Sequence, residues 1–342
     1  MEGQLVVGAG IVLAAGILQG LFAVPMKFAR DWSYENIWLI FALTGLVLFP
    51  WILTFSTVPN IRAIYAHTSI DTLASVVGFG LLWGAGATLT GLGLNMLGIG
   101  LGLAIILGLS ASVGSLVPLL VLTPENLGTR QGHFYLLGTA VMLVGIGVAA
   151  RAGALRDKAK TSFLDQSTKV KASFLVGLCV VIAAGLLSSA LNFCYAFGAG
   201  AMVQARQMGV SQVWISNVVA APATSGGFIA NCCYCLYLLR KNGSAFRFGL
   251  PQSRWNWLHG TLMGAFWFGG LALYGVGVNR MGNFGTVVGW PLLMGTIIVT
   301  SNAAGIATGE WKGARGNVRA YLLAGMLIIL AALWILSLAQ KA

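Results

Sequence analysis

Gln19, Asn95, Asn192 and Asn302 are carboxamides set inside long apolar stretches, and Ser301 joins them as a hydroxyl. Trp83, Trp267, Trp290 and Tyr274 fall in the same stretches. A side-chain amide held away from water must find a hydrogen-bond partner. It can fork onto vicinal hydroxyls, while an indole or phenol ring offers a flat face to C–H groups. These are the groups that a small neutral sugar needs, and we expect these nine residues to bind one. Thr88, Thr90, Ser110, Ser112, Asn217, Asn231 and Thr296 form the wider polar set. The competing reading is that such residues bond neighbouring helices and that Trp marks the membrane interface. Taken as a group, they favour a polar cavity.

Other chemistry is not written here. The three histidines are scattered, and no hydrolase motif is present. Cys179, Cys194, Cys232, Cys233 and Cys235 all fall in apolar runs with no histidine nearby, so they read as small packing residues rather than a metal site. Glycine-rich runs such as Gly98-Ile99-Gly100-Leu101-Gly102 do not follow a soluble strand, so the dinucleotide fingerprint is rejected. No cofactor, metal or enzymatic activity is expected.

The elements that carry the polar set must cross a bilayer. Hydrophobic residues make up 58% of the 342 and charged residues 8%, against roughly 25% charged in a soluble domain. A membrane helix needs about 20 apolar residues, and the charge-free runs hold ten of them. They lie near 4–26, 36–57, 72–96, 100–122, 133–150, 172–195, 211–239, 256–278, 284–308 and 320–338. Continuous rather than alternating apolarity selects helices over a barrel. Residues 5–18 resemble a signal-peptide core, but no cationic segment precedes them and the run continues to Lys27, so the first span is kept.

Net charge is +12, yet the basic residues report insertion rather than a nucleic-acid partner. Loops after odd-numbered spans carry 15 Lys and Arg; the termini and remaining loops carry five. The positive-inside rule then places residues 151–171 in the cytoplasm and both termini outside.

Trp83 to Gly98 reappears as Trp267 to Gly282, with seven of sixteen positions identical, among them Gly86/Gly270, Gly93/Gly277 and Asn95/Asn279. A second echo pairs Glu125, Gly128 and Arg130 with Glu310, Gly313 and Arg315. The chain therefore divides into a first five-helix repeat (1–150), a basic linker (151–171) and a second repeat (172–342). Five spans per copy is odd, so the second copy enters from the opposite side. An inverted repeat of this kind places the substrate near the midplane.

Ala23-Val-Pro-Met-Lys-Phe-Ala-Arg-Asp-Trp-Ser-Tyr-Glu-Asn-Ile-Trp38, Pro50-Trp51, Pro59-Asn60 and Phe79-Gly80-x-x-Trp83-Gly84-x-Gly86 resemble the L-rhamnose–proton symporter family. Gly114-x-x-x-Pro118, Gly145-x-Gly147, Arg151-Ala152-Gly153 and Glu310-Trp311 continue the likeness in order, over about residues 20 to 315. The resemblance implies the drug/metabolite transporter superfamily, whose ten-helix members are inverted five-plus-five repeats. It also implies import of a deoxyhexose such as L-rhamnose, with protons, across the bacterial inner membrane. A related carrier for another sugar such as glucose, or for an exported metabolite, is the alternative. Coupling requires a group that titrates between access states, and no carboxylate lies at mid-span. Lys27, after Pro25, and Glu35 are favoured as the proton-sensitive element, with Asp71 as the fallback.

Overall fold

The computed structural model describes residues 2–97, 99–161, 174–282, 285–309 and 316–338, and no strand occurs among them. In lipid no water is present to bond the backbone, so each crossing must satisfy its own N–H and C=O groups as a helix. Ten helical segments are long and apolar enough to cross. The first is α1 (Glu2–Leu21) and the second is α2 (Tyr34–Leu43) with α3 (Phe49–Thr57); a short α4 (Ile61–His67) connects the second span to the third. Spans three to five are α5 (Ile70–Leu97), α6 (Ile99–Leu122) and α7 (Arg130–Thr161). The sixth is built of α8 (Phe174–Ser188), α9 (Ala190–Phe197) and α10 (Ala199–Gln207). Spans seven to ten are α11 (Asn217–Asn242), α12 (Arg254–Arg280), α13 (Gly285–Ala307) and α14 (Gly316–Leu338).

Three spans are irregular, each for a local reason. Regular helix in the first span stops at Leu21, and the chain passes into a 3-10 turn at Pro25–Phe28, where proline supplies no N–H. In the second span Thr44–Leu48 forms a π-helical turn, with Phe49 N–H donating to Thr44 O. Pro50 follows directly and cannot donate to the preceding turn. The sixth span breaks at Ser189, whose hydroxyl turns back to Leu186 O at 2.5 Å, a competition with the backbone that bends helices.

The sequence reading differs from the structure in three places. The sixth span runs on past 195 to Gln207, and the seventh starts at Asn217 rather than 211. Gly209, at φ 80°, and the turns around it separate them. Helix α7 also continues into the basic linker as far as Thr161, because Ala-, Lys- and Arg-rich sequence is a good helix former. Residues 162–173 lie outside the described ones.

Close glycine approaches fix which spans pack and in which direction. Gly86 meets Leu187 and Ser188, and Gly93 meets Val181, so α5 and α8 run antiparallel. Gly270 meets Ala15 and Gln19, and Gly277 meets Gly8 and Val12, so α12 and α1 do the same. A Cβ at any of these four glycines would overlap the facing helix. Helices α1 and α13 run parallel through Gly16–Thr296 and Gly20–Thr300, as α6 and α8 do through Ile106–Gly185 and Gly114–Ser189. Helices α7 and α14 pack on each other at one side. Large apolar side chains such as Phe55, Leu327 and Trp334 face outward, as a lipid solvent allows.

Candidate functional site

A cavity of about 260 Å³ opens between eight of the ten spans, and no described residue of α7 or α14 lines it. It falls slightly below the range of roughly 300–1,000 Å³ common for ligand pockets, which suits a small solute. Gln19 and Phe22 reach it from the end of the first helix, Trp38 and Phe41 from α2, and Trp83, Ala87 and Thr90 from the middle of α5. Ser110 comes from α6, Ser188 and Leu191 from either side of the sixth-span break, and Asn231 from α11. Trp267 of α12 with Trp290 and Met294 of α13 complete the wall. None of the lining side chains carries a formal charge.

Aromatic rings dominate one side. Trp83 and Trp267 stack with centroids 5.1 Å apart and planes 23° from parallel. Phe41 meets Trp267 edge-on at 6.2 Å, and Trp38 lies 4.8 Å from Phe41. Trp290 is held by a hydrogen bond from its indole N–H to Ser110 O at 3.0 Å and by an edge contact with Tyr274 at 5.7 Å. The indole N–H groups of Trp83 and Trp267 have no protein partner among the described residues.

Polar groups in the wall are only part-committed. Gln19 Nε2 donates to Trp267 O at 3.2 Å, which leaves its carbonyl oxygen for a ligand. Asn231 Oδ1 accepts from Trp38 Nε1 at 2.9 Å, and its Nδ2 donates to Gly227 O at 2.9 Å. An amide has two donors and two lone pairs, so Asn231 keeps one of each. Thr90 Oγ1 returns to Gly86 O at 3.0 Å.

Of the nine residues that the sequence singled out for sugar binding, Gln19, Trp83, Trp267 and Trp290 are brought together around this cavity. Asn192 and Tyr274 stand behind the wall, fully buried, with Tyr274 Oη donating to Asn192 Oδ1 at 2.5 Å and Asn192 Nδ2 to Gly114 O at 2.6 Å. Ser301 and Asn302 turn back to Ile298 O on their own helix at 3.1 and 2.9 Å. Asn95 lies on α5, and its side chain is outside the described ones. The candidate proton groups lie apart from the cavity. Lys27 Nζ donates to Thr308 Oγ1 at 2.7 Å, joining the ends of the first and ninth spans. Glu35 is buried, and its Oε1 accepts from Asn242 Nδ2 at 3.0 Å and Ser244 Oγ at 2.5 Å. Asp71 is exposed in the first turn of α5.

The same face holds a wider clasp. Asn36 Nδ2 donates to Ser244 O at 3.0 Å, Arg247 Nη1 to Asp31 O at 2.7 Å, and Asn256 Nδ2 to Arg30 O at 2.6 Å. The loops after spans one and seven are thereby sewn together. Reading the sequence missed Trp38, Phe41, Phe22 and Ser188 as lining residues. Ser188 faces Gly86 as Gln19 faces Gly270, a correspondence that only the folded chain displays. Trp38 and Phe41 carried no signal, because a helix that is apolar all round does not show which face is inward.

A family model described as L-rhamnose-proton symport protein (RhaT) matches residues 1–342. An L-rhamnose-proton symporter of Yersinia pestis (strain Pestoides F) is 27% identical over 349 residues, covering 100% of both chains. Another, from Shigella boydii serotype 18 (strain CDC 3083-94 / BS512), is 26% identical over 318 residues and covers 91% of each. With ten membrane spans, an uncharged cavity between eight of them and the family matched from end to end, this chain is a transporter rather than an enzyme and belongs to the L-rhamnose-proton symport protein family.

Proposed function

We propose that the chain imports L-rhamnose together with protons by alternating access across a bacterial inner membrane. The observation that carries this reading is the charge-free cavity, in which amides, hydroxyls and indole faces meet. Amides and hydroxyls suit the sugar's hydroxyls, the indoles suit its C–H face, and the apolar remainder suits the methyl group of a 6-deoxyhexose. Gln19, Asn231, Trp83, Trp267 and Trp290 are the proposed sugar contacts, while Asn192 and Tyr274 set the position of Trp290.

The packing supports an inverted repeat. Exchanging the two halves turns the α1–α12 crossing into α8–α5, and α1–α13 into α8–α6, each with its direction kept. Val12 and Val181, like Gln19 and Ser188, are related by one constant offset and face matching glycines. Helices α1 and α8 both stop within two residues of a lining side chain. Interrupted helices at such a point are where carriers of this build hold their substrate. Charge bias supports both termini outside and 151–171 in the cytoplasm.

Glu35 is the proposed proton-sensitive group, with Lys27, at the end of the first span, as the second candidate of the same region. As a carboxylate it accepts charge-assisted hydrogen bonds from the far loop; protonation weakens them and eases separation of the second and seventh spans. Titration calorimetry with purified protein tests the site. L-rhamnose should bind to the native chain and several-fold more weakly to Gln19→Leu and Asn231→Leu. Equal affinity in native protein and both variants would remove the cavity from sugar binding.

A further inference from the structure

Trp83 and Trp267 are each other's counterparts, occupying the same place in the two matching sixteen-residue segments. They also touch each other. In the glycine crossings of α5 with α8 and of α12 with α1, each residue faces something other than its own counterpart: Gln19 faces Gly270, and Ser188 faces Gly86. This difference has a consequence in a carrier whose two access states are related by exchange of its halves. A contact between non-counterparts is converted into a different contact, so the two are free to open in turn. A contact between counterparts is converted into itself.

We propose that the Trp83–Trp267 stack is a fixed platform for the sugar, kept intact in both access states while the helices around it rearrange. The inference rests on the inverted-repeat, alternating-access reading above. Local geometry agrees with a fixed element. The six-membered ring of Trp83 lies against Gly227, at a distance that only glycine permits, and the Trp267 ring is braced edge-on by Phe41. Gln19 holds the backbone carbonyl of Trp267. The two indoles line the cavity from the midpoints of α5 and α12, so a sugar entering from either face meets the same rings. By contrast, the Lys27–Thr308 tie has no equivalent, since its counterpart positions by the same offsets are Ala196 and Pro124, which have no such side-chain groups. It belongs to one face only and is a contact that must open.

Two measurements test this in proteoliposomes. In a cysteine-free background, the pairs Trp83→Cys/Trp267→Cys and Lys27→Cys/Thr308→Cys are treated with a short bifunctional thiol reagent under opposite proton gradients. Equal cross-linking rates for the first pair with a several-fold change for the second are expected. A change in the first pair as large as in the second would overturn the platform. Invariance of both pairs would contradict alternating access itself, and the platform with it. Because the cysteine pair removes both rings, Trp83→Phe and Trp267→Phe provide the second arm, with labelled L-rhamnose influx and efflux measured at equal pH on both sides. A shared platform raises KM for both directions by the same several-fold factor with little change in maximal rate. A KM effect confined to one direction, or a loss of maximal rate alone, would overturn it.

Discussion

Replacing Glu35 by Gln changes one charge and almost no volume, so its consequences can be worked through. The carboxylate is buried between Asn242 and Ser244 and is the only ionised acceptor in the described clasp between the loops after spans one and seven. A hydrogen bond to a charged group is worth about 1.5–3 kcal/mol, against about 0.5–1.5 for a neutral pair. Gln keeps a carbonyl oxygen, so each of the two bonds falls by about 1 kcal/mol, or about 2 kcal/mol in all. At 1.4 kcal/mol per factor of ten, the clasped arrangement loses roughly 30-fold in population relative to the open one. The same change removes the proton that would be taken up and released. In proteoliposomes, Glu35→Gln should therefore fail to concentrate labelled L-rhamnose down an inward proton gradient, yet still exchange labelled for unlabelled sugar at equal pH. Gradient-driven accumulation at the native level would refute the assignment and turn attention to Asp71.

Gly270→Ala should destabilise by about 1–3 kcal/mol through overpacking, because the new methyl meets Gln19 Cγ at 2.5 Å and Ala15 O at 2.8 Å. Gly91→Ala, on an open face of α5 with nothing within 4 Å, should be neutral or stabilising by up to about 1 kcal/mol from helix propensity; thermal unfolding in detergent compares the two. Tyr274→Phe removes a buried hydrogen bond to Asn192 and should cost about 1–3 kcal/mol of stability, with a smaller effect on sugar affinity than Gln19→Leu; unfolding and calorimetry on the same sample separate these. Lys160→Cys should react with an impermeant thiol reagent only from the cytoplasmic side and Glu2→Cys only from the periplasmic side, and the reverse pattern would invert the proposed topology.

Much of the fold could be read in the chain because lipid imposes so strong a rule: charge is excluded from helical runs, so the ends of the runs are written in Lys, Arg, Asp and Glu. Breaks inside a span are not written that way. Ser188-Ser189 contains neither proline nor glycine, and the interruption there depends on a hydroxyl turned back on its own helix. The site was readable where residues repeat. Trp83 and Trp267 stand out by their matching surroundings, and Gly86, Gly93, Gly270 and Gly277 prove to be where α5 crosses α8 and α12 crosses α1. It was obscure where a polar side chain had two ways of being satisfied. Asn192 and Gln19 are both amides in apolar runs; one is spent on Gly114 and Tyr274, and the other opens to the cavity. Only the arrangement of neighbours separates these cases.

Coupled import is tested most directly by uptake of labelled L-rhamnose into proteoliposomes holding the purified chain, with and without an inward proton gradient. The expected result is sugar concentrated inside only while the gradient lasts, accompanied by alkalinisation of the outer medium on adding L-rhamnose. Accumulation that ignores the gradient, or a gradient-driven uptake of glucose that L-rhamnose does not compete with, would contradict it.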